Sequence, residues 1–170
     1  MPYVAFLRAI NTGNRRIKMA VLREAFAAAG YSGAATHLAT GNVVFDADGP
    51  PDEAALEASL DESLGFANWV FIRTPAEIEA LLSAVPWTGP GVVEVSFLGR
   101  EPDPGAARAL EATAVAPEDL VVVGREVLFL REGPPAPTTH KESTTERMLG
   151  TVTTRRGMAT VQGIWDRYLS

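Results

Sequence analysis

The sequence contains no cysteine, which excludes disulfide bonds, thiolate zinc sites and cysteine nucleophiles. Only two histidines occur, His37 and His140, and their spacing indicates no metal site. The glycine-rich loops that cradle phosphates and the Gly-x-Ser-x-Gly elbow of hydrolases are also missing. The sequence therefore predicts no metal and no cofactor, and it leaves open whether the protein is an enzyme.

Long apolar runs are missing as well. No stretch reaches the roughly 18 residues that a membrane span needs. The apolar N-terminal stretch has no basic region before it and is typical of a strand, so we expect mature structure and not a signal peptide. With 46% hydrophobic and 21% charged residues, the chain is typical of a folded domain. We expect a cytoplasmic protein with no membrane partner.

Charge is distributed unevenly along the chain. The net charge of −6 argues against non-specific binding to nucleic acid or to anionic lipid. Residues 1–23 nevertheless hold five basic residues and no acid, whereas residues 24–130 hold four basic and 17 acidic residues. Residues 131–170 are again slightly basic, with six basic and four acidic residues. The positive charge therefore lies at the two ends of the sequence.

The pattern of apolar residues predicts the same order of elements twice. In the first half, strands are predicted at 3–10, 35–40, 43–46 and 68–73, with helices after the first, third and fourth strands. A tight hairpin is expected at Gly41-Asn42. In the second half, strands are predicted at 92–98, 119–123, 126–131 and 151–155, and the last helix at 157–169. A loop rich in proline and threonine is predicted at 133–139.

Each half thus has the order βαββαβ, which is typical of a ferredoxin-like unit. The fold class predicted is α+β, with two ferredoxin-like halves whose mostly antiparallel sheets carry helices on one face. The proline- and glycine-rich segment 86–91 is the best boundary, giving halves at 1–86 and 91–170. One compact unit with a continuous sheet is the alternative.

Polar residues near strand ends are the candidates for ligand binding, because arginine grips carboxylates and phosphates with parallel hydrogen bonds and asparagine both donates and accepts. Each has a structural alternative: Asn42 supplies a left-handed turn, and Arg8 pairs with an acid across the sheet. The predicted ligand-binding residues are Arg8, Asn11, Gly41, Asn42, Arg155, Arg156 and Thr160.

The histidines and the acidic helix carry weaker hypotheses. His37, in a predicted strand, is interpreted as a partly buried structural residue. His140 lies among hydroxyl residues and is a candidate general base, although only Glu142 is near it in sequence. Five carboxylates between residues 52 and 62 lie on one predicted helix, and those at positions 53, 57 and 61 share a face that is interpreted as solvated.

Four segments carry a resemblance to a known family. Residues 3–13 resemble the opening strand and loop of the domain of unknown function 1697 family, in which Leu-Leu-Arg-Gly-Ile-Asn-Val-Gly is usual. Residues 18–22 are similar to its Lys-Met-x-x-Leu helix start, and residues 36–45 to its Thr-Tyr-Ile-Gln-Ser-Gly-Asn-Val-Val-Phe segment. Residues 154–161 fall where the family has Thr-x-Arg-Asn-Trp-Asn-Thr-Val.

The match departs from the family pattern in places. Ala9 replaces a glycine, Thr40 a serine, Gly157 an asparagine and Met158 a tryptophan. If the C-terminal motif of the family forms a ligand site, the site in this chain is altered. The resemblance implies an α+β fold with ferredoxin-like parts and a mostly bacterial, cytosolic distribution, and it implies no established activity.

Three functions remain open from the sequence. The leading hypothesis is a module that binds a small anionic or nucleotide-like ligand, or nucleic acid, where the two basic ends converge. An enzyme acting on a phosphorylated or carboxylated metabolite is the alternative. A protein-protein interaction module, with a homodimer formed through strand edges as one form, is the third.

Overall fold

The structure, a computed structural model, describes residues 1–8, 10–11, 13–132 and 140–170. The chain divides into two compact units, the first comprising Met1–Ile78 with Ile164–Ser170 and the second Glu79–Gly163. That residues 1–86 and 91–170 are separate halves stays a prediction, which expression of the two pieces would test. The loop predicted at 133–139 lies outside the described residues.

The first unit contains a four-stranded sheet. Its elements are β1 (Pro2–Leu7), α1 (Met19–Ala28), β2 (Ala35–His37), β3 (Asn42–Asp46), α2 (Glu53–Leu64), β4 (Val70–Arg73) and the start of α3 (Pro75–Ser83). The strands lie in the order β2-β3-β1-β4, and every neighbouring pair is antiparallel.

The second unit repeats this arrangement. Its elements are β5 (Val92–Leu98), α4 (Pro104–Glu111), β6 (Asp119–Val123), β7 (Glu126–Arg131), α5 (Glu142–Leu149), β8 (Thr153–Gly157) and most of α6 (Met158–Ile164). A π-helical turn, Trp165–Leu169, follows and belongs to the first unit. The strand order β6-β7-β5-β8 has the topology of the first sheet. The predicted fold class, two ferredoxin-like halves in an α+β protein, is confirmed.

Local sequence signals account for the helix ends. The carboxylate of Asp52 accepts the N–H groups of the first turn of α2, and Gly65 ends that helix in a left-handed conformation. Asp103 caps α4 in the same way. Before α3, the Thr74 N–H donates to the Glu77 carboxylate at 2.8 Å and the Glu77 N–H donates to the Thr74 hydroxyl at 3.2 Å. These reciprocal hydrogen bonds form a capping box.

Strand ends differ from prediction where tertiary contacts decide them. β1 ends at Leu7 instead of residue 10, and β2 ends at His37 instead of residue 40. The β2–β3 connection is a four-residue loop, so the prediction of a tight turn on Gly41-Asn42 is wrong. Gly41 has the positive φ, +79°, whereas Asn42 is the first residue of β3.

A continuous apolar core lies between the first sheet and its helices. On β1, β3 and β4, the helix-covered face of the sheet is built from apolar side chains. They are Tyr3, Ala5 and Leu7 of β1, Val43 and Phe45 of β3, and Val70 and Ile72 of β4, packed with Leu22, Phe26, Leu56 and Leu60 from the helices. In the second unit the core is smaller and consists of Leu98, Leu110, Leu120, Val127, Phe129 and Leu149.

Replacement of Gly41 by alanine should lower the free energy of unfolding more than the same change at Gly30. Both glycines have positive φ, so each alanine adds backbone strain of about 1–3 kcal/mol. At Gly41 the new Cβ would also lie 2.9 Å from Ile10 Cβ, whereas at Gly30 it would meet nothing within 4 Å. Urea unfolding of both variants measures the difference, and equal losses would contradict the crowding at Gly41.

Candidate functional site

The loop after β1 is organised by Asn11. Its backbone has a φ of +57°, a left-handed conformation that asparagine tolerates. Its side-chain amide donates to the carbonyls of Ile17 at 3.0 Å and Ala39 at 2.9 Å. The amide oxygen accepts the Ile17 N–H. Asn11 therefore joins this loop to the loop between β2 and β3, and its amide holds the scaffold together.

Gly41 and Asn42 complete the same scaffold. The carbonyl of Gly41 accepts the Leu7 N–H at 2.8 Å, where β1 ends. Asn42 is fully buried, and its amide nitrogen donates to the His37 carbonyl and to the Thr40 hydroxyl, both at 2.9 Å. The alternative that Asn42 supplies a left-handed turn is wrong, because Gly41 takes that conformation.

Cations and aromatic rings meet at this end of the first unit. The guanidinium of Arg8 lies over the Trp69 ring, 5.2 Å from its centroid, and that of Arg15 lies 3.6 Å from the Phe66 centroid. Arg16 donates to the carbonyls of Gly13 and Arg15, at 2.9 and 2.8 Å. We call the set Arg8, Arg15, Arg16, Phe66 and Trp69 the basic loop surface.

Two nearby carboxylates of α2 are engaged with the backbone before β4. Asp61 accepts the Asn68 N–H at 2.6 Å, and Glu57 accepts the Val70 N–H at 2.8 Å. Burial raises the pKa of Glu57, and this hydrogen bond opposes the rise. These acids hold the backbone on either side of Trp69.

The other predicted ligand residues lie in the second unit. β8 runs from Thr153 to Gly157, so both arginines lie inside a strand and point to opposite faces. Arg156 donates to the Thr154 hydroxyl and the Arg155 carbonyl, at 2.9 and 2.8 Å, and burial lowers its pKa to about 10. Thr160 is half-buried in α6. The seven predicted residues thus form two groups, four in the first unit and three in the second.

A polar cavity interrupts the core side of the second sheet. Its free space, part of which is open to solvent, is about 230 Å³, and it is lined by Glu94, Glu118, Asp119, Phe129, Leu130, Arg131, His140 and Arg155. Arg131 Nε lies 3.1 Å from the Glu94 carboxylate. Arg155 Nε donates to the Ser96 hydroxyl at 3.1 Å, and the guanidinium lies over the Phe129 ring at 4.1 Å.

The hydrogen bonds of Thr113 fix the tautomer of His140. The Thr113 hydroxyl has one proton, which it donates to the Leu110 carbonyl at 2.6 Å. It must therefore accept from His140 Nε2, which lies 2.8 Å away. In the neutral imidazole the proton is on Nε2 and the lone pair is on Nδ1. Burial lowers the pKa of His140, with Glu118 opposing and Arg155 adding to the effect.

Sequence reasoning missed the ion pair of Glu94 with Arg131 and the hydrogen bond of Ser96 with Arg155. A signal for two of them was present, because Glu94 and Ser96 occupy alternate positions of an otherwise apolar strand. Arg131 and His140 flank the undescribed segment, and only the tertiary structure brings them to this cavity.

Two negative findings concern the residues that the structure describes. Among these residues, no three His, Asp or Glu side chains are grouped so that they could hold a metal ion. No helix of the described chain is both long and apolar enough to cross a membrane.

One family and one solved structure are similar to this chain over most of its length. The profile of the family described as Protein of unknown function (DUF1697) matches residues 1–128. A solved structure, described as conserved bacterial protein SP0830 from Streptococcus pneumoniae, is similar with a TM-score of 0.71 and 19% identity, covering 97% of this chain and 96% of that chain. At this identity the likeness shows the fold alone. None of the curated proteins compared with the chain matches it.

Replacing Asn11 by alanine should destabilise the first unit. The change removes the hydrogen bonds to Ile17 and Ala39 and leaves a non-glycine residue with positive φ. We expect a loss of about 2–3 kcal/mol in the free energy of unfolding. Asn14→Ala, in the exposed part of the same loop, is the matched control, and equal stability of both variants would contradict the scaffold role.

The free energy of unfolding should fall as the pH drops below about 6.5, the ordinary pKa of histidine. Because burial lowers the pKa of His140 in the folded state, the unfolded chain binds more protons between the two values. The stabilisation is therefore complete above the unfolded pKa and is lost as the pH falls toward the folded one.

Urea unfolding at a series of pH values measures this slope. His140→Gln keeps a donor for Thr113 but cannot titrate, so its slope should be smaller than that of the wild type. His37→Gln is the comparison, since burial and Arg167 lower the pKa of His37 as well. Identical slopes for the wild type and His140→Gln would refute the assignment to His140.

Proposed function

We propose that this chain, which belongs to the DUF1697 family of proteins of unknown function, is a binding module for a nucleotide-like anion. The ligand binds at the basic loop surface of the first unit, with its phosphate on the arginines and its base against Trp69. The observation that carries the proposal is the pairing of arginines with aromatic rings, Arg8 with Trp69 and Arg15 with Phe66.

The chemistry of this surface suits a ligand that is both charged and flat. A guanidinium presents several N–H donors in one plane, which match the oxygens of a phosphate. Trp69 keeps 38% of its surface exposed, although it precedes a buried strand. Exposed aromatic rings beside arginines are the usual platform for nucleobases.

The distribution of charge favours one local anion site over a general affinity for polyanions. Residues 1–23 hold five basic residues and no acid, while the whole chain has a net charge of −6. An acidic protein repels a long polyanion except where a basic surface faces it. A mononucleotide or a short single strand therefore fits better than a duplex.

The surface is also preorganised. Stacking restricts the Arg8 and Arg15 side chains, so less conformational entropy is lost when a ligand binds. Asn11, Gly41 and Asn42 support the loops beneath, and we assign them to positioning instead of ligand contact. That Arg155, Arg156 and Thr160 of the second unit join the same site stays a prediction of the sequence.

Titration of the purified protein with AMP, ATP and a short single-stranded oligonucleotide tests the proposal. A ligand at about 100 times its dissociation constant should stabilise the fold by about 2.7 kcal/mol, which a thermal-shift assay detects. Arg8→Ala and Arg15→Ala should each weaken binding about tenfold or more, because each removes charge-assisted hydrogen bonds.

Controls separate this site from general charge effects. Arg108→Ala removes an exposed arginine of α4 and should leave the affinity unchanged. Arg156→Ala tests whether the second unit contributes. The absence of any saturable shift with these three ligands, or an equal loss in Arg108→Ala, would refute the proposal. Tighter binding of the oligonucleotide than of AMP would identify single-stranded nucleic acid as the ligand.

A further inference from the structure

The two units provide an internal comparison, because they share one topology. In the first unit, Tyr3 of β1 lies opposite Phe45 of β3. Ala5 of β1 lies between Val43 of β3 and Ile72 of β4. All five side chains belong to the apolar core beneath the helices. This topology is therefore built without a polar group at these positions.

The second unit has polar side chains at the matching positions. Glu94 of β5 lies opposite Phe129 of β7. Ser96 lies between Val127 of β7 and Arg155 of β8. Because directly opposite residues point to the same face, Glu94, Ser96 and Arg155 face the helices with Phe129 and Val127. Tyrosine, alanine and isoleucine of the first unit are thus replaced by glutamate, serine and arginine.

Polar groups on this face are costly for stability. Burying an ion pair seldom stabilises a fold more than apolar residues of similar volume do. The first unit has apolar residues at the matching positions, so this topology can fold without Glu94, Ser96 and Arg155. Charged groups that a fold does not need, gathered around a cavity, indicate a binding site.

The orientation of Arg155 indicates what is bound. Its face packs on the Phe129 ring, so its N–H groups point sideways in the plane of the guanidinium. Nε is occupied by Ser96, whereas Nη2 is buried and has no hydrogen-bond partner among the described residues. A buried donor of this kind requires an acceptor, and the planar fork suits the two oxygens of a carboxylate.

The charges around Arg155 leave room for an anion. The Glu94 carboxylate is paired with Arg131 at 3.1 Å. Asp119 accepts the Trp87 indole N–H at 3.0 Å and the Leu120 N–H at 2.8 Å. Glu118, the third acid of the lining, interacts electrostatically with His140, and Glu142 with Arg155. Protonation of His140 would add a second cation and strengthen anion binding.

The free space limits the size of the ligand. The free space of about 230 Å³ is partly open to solvent, and the cavity itself is so narrow that a water-sized molecule has little freedom within it. We propose that this cavity is a binding site for the smallest carboxylate, of the size of formate, anchored by Arg155. The proposal is independent of the basic loop surface, because it uses other residues in the other unit.

NMR titration of the two histidine rings tests this site in the full-length protein. Sodium formate should move the His140 ring signals saturably, and sodium chloride at equal ionic strength should not. Formate should also raise the pKa of His140, since a bound anion stabilises the imidazolium. His37, in the other unit, is the internal reference and should respond equally to both salts.

Two variants assign the effect to Arg155. Arg155→Lys keeps the charge but loses the planar fork, and the affinity for formate should fall about tenfold. The double variant Ser96→Ala, Arg155→Ile introduces the residues that the first unit has at these positions. It should fold, as judged by circular dichroism, and show no formate response at His140.

Three results would overturn the proposal. The first is a His140 response that is equal in formate and chloride. The second is a response to formate that persists in the double variant. The third is a wild-type protein whose His140 signals do not move at any formate concentration, and this result needs no variant to be folded. Arg108→Ala, which should bind formate like the wild type, controls for a general loss of positive charge.

Discussion

The register of the central strands is the constraint on which both units depend. β1 and β5 pair on both sides, so each of their residues is assigned to one face by its partners in two neighbouring strands. A shift by one residue would exchange the two faces completely. In the second unit it would turn Ser96 and Arg155 away from the helices and from the cavity that His140 lines.

Much of the fold could be predicted because its signals are local. The capping box of Thr74 and Glu77 and the left-handed Gly65 after α2 each act within one helical turn. The alternation of apolar residues acts within one strand. The positions of Asn42 and Arg155 could not be predicted in this way. Where β3 begins and where β8 ends depends on pairing with distant strands, and a one-residue difference decides which face a side chain takes.

The candidate sites show the same limit. Arg8 and Asn11 were identified from the sequence because they lie near the end of a predicted strand in a basic segment. The rings on which the arginines stack, and the partnership of Glu94 with Arg131, join elements far apart in the chain. The basic loop surface is solvated and costs the fold little stability. The charged residues around the cavity of the second unit lie in the interior, and the first unit has apolar residues at the matching positions.

The stack of Arg15 on Phe66 restricts how this loop can change over evolution. Lysine has the same charge, but it lacks the flat surface that covers the ring at 3.6 Å. A substitution that conserves the charge would therefore expose the ring and release the cation. The shape of the cation therefore limits which residues can replace Arg15. A substitution table based on charge would rate the exchange of arginine for lysine as mild, although this exchange would remove the contact with the ring.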